Sequence, residues 1–133
     1  MYETEDGYIF VTFQDGKVIF YKDSYKRHCS YRDSIKGEKG REAIQNALIN
    51  PDFIISYTRT DLPKTICKKY YSITGKTKTV RGLELEYWEI ILQKKPNQKL
   101  KIVTAYIASA PEYAMIDDRV EKVIYKKTNY GTK

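Results

Sequence analysis

Two short runs of β-branched and aromatic residues, joined by an Asp-Gly step, constrain this chain more than any other feature. Tyr8-Ile9-Phe10-Val11-Thr12-Phe13 and Val18-Ile19-Phe20-Tyr21 flank Gln14-Asp15-Gly16-Lys17. Such side chains suit a pleated surface, and a glycine after Asp supplies the positive φ that a tight hairpin turn needs. The pattern predicts an antiparallel hairpin near the N-terminus. A lone two-stranded hairpin is marginal in water, so the remaining residues must give it something to pack on.

After the hairpin the period changes. Ser24 is a suitable helix N-cap, and a helix over residues 24–35 would put Tyr25, His28 and Arg32 on one stripe before Gly37 and Gly40 break it. A second helix is expected over residues 41–49, with Ala43, Ile44, Ala47 and Leu48 inward and Asn50-Pro51 ending it. Strands then read at 53–57, 65–73, 84–92 and 100–107. The Lys- and Thr-rich residues 74–79 read as an exposed loop, and residues 118–125 as a last short helix or strand. Helices followed by a strand meander predict an α+β fold: an N-terminal hairpin and two helices packed on an antiparallel sheet of about four strands. A chain of 133 residues suits one domain. Its span is read as residues 1–127, with 128–133 as a frayed tail.

Several classes of protein are disfavoured. The longest apolar runs, such as Trp88 with Ile90-Ile91-Leu92, are too short to span a bilayer. The acidic start Met1-Tyr2-Glu3-Thr4-Glu5-Asp6 lacks the apolar core of a signal peptide. A cytoplasmic location without membrane contact is therefore expected. Cys29 and Cys67 make neither a disulfide framework nor a zinc cluster and read as reduced thiols. No phosphate loop, dinucleotide fingerprint or H-E-x-x-H motif occurs. Asp117 and Asp118 are neighbours that point apart in regular structure, so neither a metal site nor a cofactor is expected.

The net charge of +7 is unevenly placed. Residues 1–66 carry ten Lys and Arg against ten Asp and Glu, whereas residues 67–133 carry fourteen against seven. A lopsided basic field speeds encounters with phosphate backbones. Tyrosine is frequent, at 13 copies, and tyrosine interleaved with Lys and Arg suits single-stranded RNA, although it also marks protein-binding surfaces. Candidate contacts are Arg27, Lys68, Lys69, Tyr70 and Lys101.

His28, the only histidine, is the one side chain whose ordinary pKa lies near neutrality. Arg32 follows one turn later and carries a planar fork suited to phosphate. On the last long strand, strict alternation puts Leu100, Ile102, Thr104 and Tyr106 on one face and Lys101, Val103, Ala105 and Ile107 on the other. The hydroxyls of Thr104 and Tyr106 would then stand two residues apart, able to hold one phosphate.

His28, the helix leading into Asn50-Pro51-Asp52, and Val103-Thr104-Ala105-Tyr106 together resemble the barnase, EndoU, colicin-type and RelE-like ribonucleases, especially their phage-associated branch. Residues 119–125 also look similar to the closing segment of those domains. The resemblance implies a metal-independent endoribonuclease, a toxin or mobile-element effector that cleaves RNA by 2′-OH attack. His28 would be its general acid or base, Arg32 would stabilise the phosphorane, and Thr104 with Tyr106 would position the phosphate. An inhibitor or other protein partner is compatible with this reading. The alternative is a non-enzymatic phage-type protein that binds nucleic acid or a host nucleoprotein through a basic, Tyr-rich surface. A third reading, a subunit of a larger assembly whose charge serves solubility alone, makes no use of His28.

Overall fold

The computed structural model describes residues 1–115 and 121–127. The hairpin forms where the Asp-Gly step places it, as β2 (Gly7–Val11) and β3 (Lys17–Tyr21), with a short β1 (Tyr2–Glu3) added at its edge. Gly16 takes φ 67 in the turn, the left-handed region that glycine enters freely. Thr12 tightens the loop: its hydroxyl donates to the Gly16 carbonyl at 2.8 Å and accepts from the Asp15 amide at 2.8 Å.

The remaining elements are α1 (Lys22–Cys29), a 3₁₀ turn (Asp33–Ile35), α2 (Gly37–Ile49), β4 (Phe53–Tyr57), β5 (Ile66–Thr79), β6 (Gly82–Lys94), β7 (Lys101–Pro111) and β8 (Glu121–Lys126). The class is α+β, as expected, but among the described residues the sheet has eight strands rather than about four, in the order β1-β2-β3-β7-β6-β5-β4-β8. It is mixed, because β3 meets β7 in parallel through the single pair Ile19 and Lys101. Two features enlarge it. The hairpin joins the meander instead of standing apart. Residues 74–79, expected as a loop, extend β5, because Gly75 sits at a bulge that lets pairing with β6 resume.

Both helices depart from the expected bounds. α1 starts at Lys22 with Tyr21 as N-cap and no side-chain cap, so Ser24 lies inside it. It stops at Cys29, where the Ser30 hydroxyl donates back to the Arg27 carbonyl at 2.6 Å. Arg32 is extended, at φ −137 and ψ 100, and so leaves the His28 stripe. α2 begins at Gly37 and includes Gly40, which closes a tight crossing: a Cβ there would lie 2.1 Å from the Ile35 carbonyl carbon.

The sheet curls around its helices. Ile44, Leu48, Tyr25 and Ile35 pack against Phe10, Phe20, Trp88, Ile90 and Leu92 on the inner face. At the hairpin tip, Asp15 accepts hydrogen bonds from Lys68 and from the Tyr70 hydroxyl of β5. Phe13 stacks on Tyr125 of β8 with ring centres 4.5 Å apart, so the two ends of the sheet approach each other. A smaller apolar cluster covers part of the outer face, where Met115 packs with Phe53, Ile55, Tyr71, Leu85 and Tyr87. Among the described residues no helix is long and apolar enough to cross a membrane. Asp117, Asp118, Arg119 and the tail 128–133 lie outside the described residues.

Candidate functional site

On β6 the alternation is strict. Trp88, Ile90 and Leu92 face the inner core, which turns Glu89 outward into the heart of the sheet. β7 does not keep step. Thr104 pairs with Ile91 and Ile102 with Leu92, leaving Val103 as the extra residue of a bulge. Ile102 and Ala105 therefore both enter the inner core, while Thr104 and Tyr106 stand on the outer face, Tyr106 directly opposite Glu89. The regular alternation expected from Leu100 to Tyr106 fails at this one position.

Among the described residues β3 pairs with β7 only at Ile19 and Lys101, and no strand neighbours that edge of β7 beyond the pair. Arg32 reaches that edge from the link between α1 and α2. Its guanidinium donates to the Thr104 hydroxyl and to the Ala105 carbonyl, the latter at 3.3 Å. Its guanidinium carbon lies 4.8 Å from the Tyr31 ring centre and 4.9 Å from that of Tyr106. A cation held over two aromatic rings keeps its position without an ion pair.

The Tyr106 hydroxyl donates to the Glu89 carboxylate, which is 8% exposed. Burial, and then this carboxylate, hold the Tyr106 phenol above the usual tyrosine range. Burial does the same to Tyr71, which lies opposite Glu89 on β5, with Glu89 the next cause. Both phenols are consequently hydrogen-bond donors at neutral pH. The outcome is one outer-face constellation of Arg32, Thr104, Tyr106 and Glu89.

His28 sits to one side of it. The ring is 7% exposed and packs between Phe20 and Tyr31, with centres 5.9 and 5.7 Å away. Nδ1 lies 2.7 Å from the Ser24 carbonyl, which can only accept, so Nδ1 carries a proton. Tyr31 therefore stands between the imidazole and Arg32. Among the described residues no hydrogen bond or ring contact joins His28 to Thr104 or Tyr106.

The expected nucleic-acid contacts divide into two groups. Arg27 and Lys101 converge with Lys95 on a cleft of about 210 Å³ that also touches Tyr21, Gln93 and Val103, the residue before Thr104. Lys68, Lys69 and Tyr70 are engaged inside the protein instead. Lys68 pairs with Asp15, Lys69 pairs with Glu121 over the Tyr57 ring, and Tyr70 is fully buried with its hydroxyl on Asp15.

Glu89 and Lys95 join the site without having been singled out in the sequence. Glu89 had a visible signal, a lone carboxylate inside the apolar run from Trp88 to Leu92. Among the described residues no three His, Cys, Asp or Glu side chains gather as metal ligands would. No family model, curated protein or solved structure matches the chain, and the chemistry is accordingly argued from its own side chains.

Proposed function

We propose that the chain is an endoribonuclease that cleaves RNA by 2′-OH attack at the outer-face constellation. The observation that carries this reading is the fixed guanidinium of Arg32, bonded to Thr104 beside the Tyr106–Glu89 pair. A carboxylate, two hydroxyl donors and a planar cation are the groups that phosphoryl transfer to an internal hydroxyl requires. The resemblance of His28, Asn50-Pro51-Asp52 and residues 103–106 to small ribonucleases supports the same reading.

In this scheme Glu89 accepts the 2′-OH proton as the 2′ oxygen bonds to phosphorus. Arg32, with the hydroxyls of Thr104 and Tyr106, stabilises the charge on the non-bridging oxygens. The bond from phosphorus to the 5′ oxygen breaks, and that leaving oxygen takes its proton from water. The products are a 2′,3′-cyclic phosphate and a free 5′-hydroxyl. Arg27, Lys95 and Lys101 attract the strand towards the β7 edge.

The test is an oligonucleotide with one ribonucleotide in an otherwise deoxy strand, incubated with excess EDTA. Cleavage at the ribonucleotide with a cyclic phosphate end is expected, with a loss of about 10²-fold or more in Glu89→Gln and Arg32→Ala. Equal cleavage of the all-deoxy strand, or full activity in both variants, would overturn the assignment. The basic cleft at Arg27, Lys95 and Lys101 also fits a binding-only protein. Salt-sensitive RNA binding without turnover is the signature of that second reading.

A further inference from the structure

A second, larger cleft lies across the β6–β7 turn from the one at Arg27. It encloses about 550 Å³ between the N-terminal hairpin, this turn and the first residues of β5. Ile9, Ile19, Ile66 and Leu100 give it an aliphatic floor, and Lys17, Lys94 and Lys99 stand around it. Asp15 is its one carboxylate and is already paired with Lys68. Lys94 and Lys99 are exposed and form no ion pair among the described residues. The Lys17 ammonium lies 5.5 Å from the Tyr2 ring centre, so a cation and an aromatic ring already share the rim.

The turn divides its lysines between the two clefts. Lys94 and Lys99 line the larger one, whereas Lys95 and Lys101 line the smaller one beside Arg27. Positive charge is thus continuous from the large cleft, over the turn, to the edge where Arg32 meets Thr104. From Leu100 to Thr104 is four strand residues, or about 13 Å. A ligand complementary to this path needs an apolar face for the floor and repeated negative charges for the ridge. A simple amphiphile has one charge at one end, and a peptide of Asp and Glu alone lacks the apolar face. A single nucleic-acid strand offers a π-face and a phosphate in every unit.

We infer that the large cleft is a nucleotide subsite, holding one base of a single-stranded RNA on its aliphatic floor while flanking phosphates cross the lysine ridge towards Arg32. The inference rests on the reading of this chain as RNA-directed, but it concerns binding and not the cleavage step.

The experiment measures fluorescence anisotropy of a 2′-O-methyl oligonucleotide of about ten nucleotides, which cannot be cleaved, at several salt concentrations. Lys94→Ala/Lys99→Ala is compared with Lys76→Ala/Lys78→Ala, which removes the same charge from the far arm of β5. The first pair is expected to weaken binding about tenfold or more and to lower the salt slope by about 1.4, and the second to weaken it less than about threefold. Ile66→Asp, at a floor position 50% exposed and so tolerant of substitution, is expected to match the first pair. Equal losses in the two lysine pairs, unchanged binding in Ile66→Asp, or equal displacement by poly-glutamate would each overturn the subsite. Intact RNA cleavage with equal losses removes the subsite alone. Selective loss in a protein that never cleaves keeps the subsite and removes the nuclease. No oligonucleotide binding at all removes both.

Discussion

Arg32 keeps its place through two rings, a hydroxyl and a carbonyl, and lysine could replace only its charge. Arg32→Lys is expected to reduce RNA cleavage nearly as far as Arg32→Ala, because the planar fork and its stacking are lost together. Single-turnover rates of the two variants check this. Tyr106→Phe removes the donor to a nearly buried carboxylate, and an unmade hydrogen bond of that kind costs about 1–3 kcal/mol. Urea unfolding should show that loss, and cleavage should fall alongside it. That the hydroxyls of Thr104 and Tyr106 share one strand face was legible from their spacing. Their common face with Glu89 was not, because a bulge at Val103 leaves no mark in the sequence. Lys68 and Lys69 misled for the opposite reason: their carboxylate partners, Asp15 and Glu121, lie more than fifty residues away along the chain.

The elements that aim these side chains depend on a few backbone and polar contacts. Gly40→Ala would gain roughly 1 kcal/mol in an exposed helix. Here the added methyl meets the Ile35 backbone at 2.1–2.6 Å, so we expect a net loss of more than about 2 kcal/mol and a lower urea midpoint. The hairpin tip is latched by Asp15, and Asp15→Ala leaves Lys68 and the Tyr70 hydroxyl without their acceptor. That substitution should cost about 2–4 kcal/mol and speed hydrogen exchange in β2 and β3 more than in β6. The hairpin itself was readable from Asp15-Gly16 and α2 from its apolar stripe. The N-terminal turn of α2 was hidden, because Gly37 and Gly40 read as breakers when they serve a positive φ and a close helix crossing. β5 was cut short because the Lys- and Thr-rich residues 74–79 read as a loop, when a bulge between Ile73 and Gly75 lets the strand continue.

At the scale of the molecule, tyrosine is the main buried titratable side chain among the described residues. Burial raises the phenols of Tyr25, Tyr57, Tyr70, Tyr71, Tyr87 and Tyr106, that of Tyr57 to about 12. A raised phenol favours the folded state fully below its unfolded pKa of about 10, and that advantage disappears as pH climbs through the folded value. Stability is therefore expected to hold to about pH 10 and then fall steeply. A phenolate absorbance titration should show one early class of tyrosines and a second that ionises only on unfolding. The α+β class was legible because hydrophobic periods survive in short segments, whereas strand order is set by pairings between distant residues. One of these pairings matters for how the protein comes into being. β3 leaves the ribosome about eighty residues before its partner on β7. A ribosome adding residues one at a time must present the hairpin well before the strand that receives it. Until β4 to β6 emerge, Phe20 and Val18 have only the hairpin and the first helices to shelter them. The nascent chain would pass through a stage with an open flank, and closure at Ile19 and Lys101 would wait until β7 had emerged.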